Sequence, residues 1–89
     1  MNFEWDPRKA AANERKHRVS FDEAMTVFAD WDSITIPDPD HSEGEARFLV
    51  IGLSVRGHLL VVSHTDRGEN TRIISARRAD THERRKYGG

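Results

Sequence analysis

Arg47-Phe48-Leu49-Val50-Ile51-Gly52-Leu53-Ser54, Leu59-Leu60-Val61-Val62-Ser63-His64-Thr65 and Thr71-Arg72-Ile73-Ile74-Ser75-Ala76-Arg77 are three apolar, β-branched runs in one stretch of chain. The links between them, Val55-Arg56-Gly57-His58 and Asp66-Arg67-Gly68-Glu69-Asn70, are short and contain glycine. Short links join antiparallel neighbours, whereas parallel strands need a long crossover. The stretch therefore predicts an antiparallel meander. Gly52, inside the first run, predicts a bulge there.

Working outward, Ile34-Thr35-Ile36 predicts a strand from Ser33 to Pro37, stopped by the proline. Asp38 to Glu45 is a polar loop. Upstream, Asp6-Pro7 opens a helix, with Asp6 as N-cap and Pro7 at the first helical position. That helix runs to about His17, where Arg15, Lys16 and His17 complement its dipole. Arg18 follows where a glycine would stop the helix most easily, so this corner is expected to be strained. Ser20 and Glu23 have the spacing of a capping box. Phe21, Ala24, Met25 and Phe28 then form an apolar stripe on a second helix ending near Asp30. Phe3-Glu4-Trp5 predicts a first or edge strand. A basic helix is expected from Asp80 to about Tyr87. The order β-α-α-β-β-β-β-α describes an α+β domain.

At 89 residues the chain is expected to form one domain, residues 1–89, with a modest core. It contains no cysteine, which excludes a disulfide scaffold, a thiolate metal site and a cysteine nucleophile. That composition suits the cytoplasm. The longest apolar run, Phe48 to Leu53, is too short to span a membrane. The acidic, aromatic N-terminus does not resemble a signal peptide.

The net charge of −1 hides an asymmetry: residues 1–45 sum to −6 and residues 46–89 to +5. Eight of the nine basic residues in the second half are arginine, whose planar fork suits phosphate oxygens. Arg72, Arg77, Arg78, Glu83, Arg84, Arg85, Lys86 and Tyr87 form the strongest group, able to hold a phosphodiester and move a proton. In a regular strand Arg72 and Arg77 point to opposite faces, and Arg84 and Tyr87 share a helical face. The plainer reading is a solvated basic helix lying over the sheet. His64 is a general-base candidate at the end of its strand. Lys16 and His17 at a helix C-terminus favour anion binding or acid catalysis. Asp38, Asp40, His41, Glu43 and Glu45 have the composition of a metal loop. They lack an EF-hand's ligand order and a zinc site's ligands, so a solvated acidic loop is expected, with no metal or other cofactor.

Phe3-Glu4-Trp5-Asp6, Lys9, Asn13, Lys16-His17, Val19-Ser20-Phe21, Asp38, His41-Ser42, Glu45-x-Arg47, Ile51-Gly52, Arg72 to Arg77 and Glu83-Arg84-x-x-Tyr87 together resemble the BrnT toxin family. The likeness spans essentially the whole chain; Arg18 departs from the family's usual glycine. It implies a RelE-like fold and a ribonuclease toxin of a bacterial type II toxin–antitoxin pair. The implied partner is a BrnA-like antitoxin, a DNA-binding repressor of its operon, expected to cover the basic surface. RNA cleavage without metal requires activation of the 2′-hydroxyl, cations on the phosphoryl oxygens and an acid for the leaving oxygen. Phosphate clamping is assigned to Arg72, Arg77 and Arg84, and proton transfer to His64, Glu83 and Tyr87. Lys9, Lys16, His17, Arg47 and Arg67 are expected to bind substrate. The rival reading is a non-catalytic module whose basic half docks RNA or an acidic protein segment.

Overall fold

The three apolar runs pair as antiparallel neighbours, and two short strands flank them. In the computed structural model, which describes residues 1–88, β1 (Asn2–Glu4) precedes the helices α1 (Pro7–His17) and α2 (Phe21–Met25). A 3₁₀ turn, Thr26–Ala29, continues α2. Then come β2 (Ile34–Pro37), a 3₁₀ turn at Pro39–His41, β3 (Arg47–Leu53), β4 (Leu59–Arg67), β5 (Asn70–Arg78) and α3 (Thr81–Gly88). The five strands form one sheet in the order β1-β5-β4-β3-β2, with only the β1–β5 pair parallel.

Local signals place the helices. The Asp6 carboxylate accepts from the Arg8 amide at 2.8 Å, and Pro7 begins α1. Arg18 takes the left-handed conformation, φ 59°, and its amide donates to the Glu14 carbonyl. An L residue there carries the Cβ penalty that glycine avoids. Ser20 Oγ caps α2 by accepting from the Glu23 amide at 3.0 Å. The expected reciprocal half of that capping box is missing. Glu23 instead accepts from Ser54 Oγ at 2.7 Å and pairs with His58 Nδ1 at 2.8 Å, tying α2 to the β3–β4 turn.

One side of the sheet holds the larger core. Val50, Leu60, Val62, Ile73 and Ala76 meet Val19, Phe21, Ala24 and Val27 there. Gly52 sits beneath the 3₁₀ turn at Thr26–Ala29. A Cβ at this position would lie 3.2 Å from the Val27 Cβ and carbonyl oxygen and from the Ser33 Cβ. Close approach, not the expected bulge, explains this glycine. β1 covers only the start of β5, and beyond it Asn13 substitutes for a strand partner. Its carboxamide donates to the Ala76 carbonyl at 2.9 Å and accepts from the Ala76 amide at 3.1 Å. On the opposite side, Ile51, Leu59, Val61 and Ala79 form a smaller core against Tyr87 of α3.

The bulge lies in β5. Ser63 pairs with Ser75 and His64 with Ile73, which leaves Ile74 as the extra residue. A bulged strand reverses its side-chain alternation from that point. Arg72, opposite Thr65, and Arg77, opposite Val61, therefore share the side that carries α3. The expectation that they point to opposite faces is corrected by this one residue.

Candidate active site

Beyond the end of α3's coverage, the same side of the sheet turns polar. Row by row, Arg47, Thr65 and Arg72 are cross-strand neighbours, followed by Leu49, Ser63 and Ser75, then Ile51, Val61 and Arg77. The β2–β3 loop folds over these rows and encloses a cleft of about 290 Å³. Asp38, His41, Arg47, Ser63, Ser75 and Arg77 supply its polar lining.

The loop is built, not solvated. Pro39 fixes the backbone after Asp38 and starts the 3₁₀ turn. The Asp38 amide donates to the Arg47 carbonyl at 2.9 Å, and Ser42 Oγ bridges the Asp38 carbonyl and the Arg47 amide. This pins both ends of the loop to the start of β3. The Asp38 carboxylate, largely covered, accepts from His41 Nδ1 at 2.9 Å and 3.1 Å. With Nδ1 committed to the carboxylate, Nε2 on the exposed side of the ring is the nitrogen that can take or give a proton. The reading of this segment as a solvated acidic loop is overturned. Its carboxylate and imidazole pair with each other, and among the described residues no three metal-ligating groups converge.

Two guanidinium groups face the loop. Arg47 Nε is buried and has no hydrogen-bond partner among the described residues. A buried charged donor without an acceptor is costly, which marks a place for an incoming anion. Arg77 is held in a fork by Glu83, at 2.7 Å and 2.8 Å. Glu83 also accepts from the Asp80 amide, while Asp80 accepts from the Glu83 amide, so the pair is the capping box of α3. The Arg77 hydrogen bonds lead the causes that hold the Glu83 carboxyl at about 2. Glu83 is thus a permanent anion that positions Arg77, and the proton-transfer role expected of it is corrected.

Several other expected residues lie elsewhere. His64 projects into the larger core, against Phe28 at 5.0 Å and Phe48 at 5.7 Å between ring centroids. It is 6% exposed, neither ring nitrogen has a partner, and burial lowers its pKa. It is not a proton carrier at the surface. Tyr87 turns away from Arg77 and donates to Asp30 Oδ2 at 2.5 Å. That bond, first among the causes, raises the phenol to about 12. Tyr87 is therefore a strut between α3 and the turn before β2, and its expected proton-transfer role is corrected too. Arg84 is exposed on α3. Arg72 pairs with Glu4 Oε2 at 2.7 Å on the β1–β5 edge, one row beyond Arg47. Arg67, at the end of the same side of the sheet, lies 3.7 Å from Glu45. Lys9, Lys16 and His17 belong to α1, whose Ala10 packs on the larger core, so they are not gathered with the cleft.

Of the expected residues, the cleft brings together Arg47 and Arg77. It adds Asp38, His41, Ser63 and Ser75, none of which the residue-by-residue reading chose. The signal was present in Asp38-Pro39-Asp40-His41, a spacing that lets a short turn set a carboxylate against an imidazole. It was weighed only as a set of metal ligands.

A small α+β domain with a concave cationic site and a carboxylate-backed imidazole defines a class also seen among solved structures. The crystal structure of the Brucella abortus ribonuclease toxin BrnT superposes with a TM-score of 0.71 at 23% identity, covering 91% of this chain and 99% of that one. At that identity the likeness establishes the fold. No curated protein sequence matches the chain. A family model described as ribonuclease toxin, BrnT, of type II toxin–antitoxin system matches residues 5–83. The chain belongs to this family, and membership of a type II system implies an antitoxin partner and an RNA substrate.

Proposed function

We propose that this protein is an endoribonuclease toxin with a RelE-like fold, acting in the cytoplasm without a metal and neutralised by a BrnA-like antitoxin. The observation that carries the reading is the convergence of the Asp38–His41 pair, the unpartnered Arg47 Nε and Arg77 on one cleft. These side chains meet the requirements of transesterification. His41 Nε2 withdraws the proton of a 2′-hydroxyl while Asp38 stabilises the imidazolium that forms. The 2′-oxygen attacks phosphorus, the bond to the 5′-oxygen breaks, and a 2′,3′-cyclic phosphate remains. Arg47 and Arg77 hold the phosphoryl oxygens as charge develops on them. The imidazolium carries the proton that the departing 5′-oxygen requires. Ser63 and Ser75 supply hydroxyls on the cleft floor that orient the phosphodiester.

The test is cleavage of single-stranded RNA by purified, partner-free protein in EDTA, with analysis of the product ends. Cyclic phosphate ends are expected, and His41→Asn should slow cleavage by about 10²–10⁴-fold. Dependence on added divalent metal, or a wild-type rate for His41→Asn, would refute this assignment.

A further inference from the structure

On the side of the sheet away from the cleft, a second concavity of about 610 Å³ runs beside the turn that continues α2. Phe3, Met25, Ala29, Leu53 and Val55 line it, and it is open along its length. The most exposed large apolar side chains gather at its rim. Val55 is 79% exposed and Leu53 43%. Trp31, fully exposed, follows Asp30, whose carboxylate accepts from the Leu53 amide at 2.7 Å. A fully solvated tryptophan beside a contiguous apolar groove is rare on a chain that is one-third charged. Tryptophan is also among the residues most enriched at the centres of protein interfaces.

The charges around the groove select its occupant. From Phe21 to Asp32 the chain carries Asp22, Glu23, Asp30 and Asp32 and no basic residue. Glu23 and Asp30 are consumed internally, by Ser54 and His58 and by Leu53 and Tyr87. Asp22 and Asp32 remain exposed on the groove's wall. The opposite wall contributes Arg56, which leans toward Glu23 at 3.9 Å.

We infer that this groove is a docking site for a basic amphipathic helix of a partner protein. Such a helix lays its apolar stripe along Met25, Leu53 and Val55 and directs Lys or Arg toward Asp22 and Asp32. Met25 gives the floor a flexible side chain that adapts to the inserted residues. The inference needs no catalytic step, so it stands or falls apart from the reading of the cleft.

The probe is a synthetic amphipathic peptide with leucine at helical spacing and lysine elsewhere, titrated against the intact protein. Trp31 emission should shift to the blue on binding, and Trp31→Phe should lose that signal. A scrambled peptide and one with glutamate in place of lysine should not bind. Val55→Asp should weaken binding by at least about tenfold, because truncated or charged anchors at an interface centre are felt that strongly. Asp22→Lys with Asp32→Lys should weaken it without altering the melting temperature. RNA cleavage should be unchanged in every one of these variants. Equal binding of the acidic peptide, or insensitivity to Val55→Asp, would overturn the inference. So would self-association of the protein alone that buries Trp31, because the groove would then belong to a second copy.

Discussion

The two sides of the sheet are made from the same strands and do different work. On one side, Val50, Leu60, Val62 and Ile73 are at most 1% exposed beneath helices that close over them. On the other, α3 covers only the rows near Ile51 and Val61. The next rows present Leu49, Ser63 and Ser75, then Arg47 and Arg72. The packed side has every apolar position filled from above, so its polar intruder, His64, is held neutral among rings. The open side stops being apolar where its helix stops, and charged side chains collect there because water and the β2–β3 loop can reach them. A strand's alternation thus separates stability from chemistry across one backbone.

Substitutions on the two sides should separate in kind. Phe21→Ala, at a fully buried ring of the packed side, is expected to cost about 3–5 kcal/mol of stability. Activity should be lost with the fold, as thermal melting would show. Arg47→Ala on the open side should leave melting close to wild type while cleavage falls by about 10²–10³-fold, the usual effect of removing one transition-state donor. A melting loss as large as that of Phe21→Ala would place Arg47 in the core's support and not in the site.

A smaller effect concerns His64. Burial lowers its folded pKa below 6.5, so the unfolded chain binds more protons as pH falls past that value. Stability should therefore be full above about pH 6.5 and decline as pH drops toward the folded pKa. Denaturant titrations at several pH values should show this slope, and His64→Leu should flatten it. The smallest effect is expected for Tyr87→Phe. Loss of the bond to Asp30 should lower the melting temperature slightly and leave RNA cleavage intact. A large fall in cleavage rate would return Tyr87 to the active site.

Most of the fold was legible because its causes are local. Asp6-Pro7 and Ser20 announce helix starts through their own backbone geometry, and Gly57 and Gly68 supply the positive φ of the two meander turns. Clustered arginines and the Asp-x-x-His spacing are likewise visible in the sequence. The bulge at Ile74 was not, because nothing in Arg72-Ile73-Ile74-Ser75-Ala76-Arg77 says which residue the partner strand skips. That one choice decides which arginines share a side. Nor could spacing tell that Glu23 leaves its capping role for Ser54 and His58, or that Tyr87 reaches Asp30 instead of Arg77. By itself the sequence determined the elements, the meander and a basic half suited to phosphate, since propensity, capping and charge act over a few residues. Only the tertiary structure decided which arginines meet the Asp38–His41 pair and that His64 does not, because cross-strand register and burial depend on residues far apart in the chain.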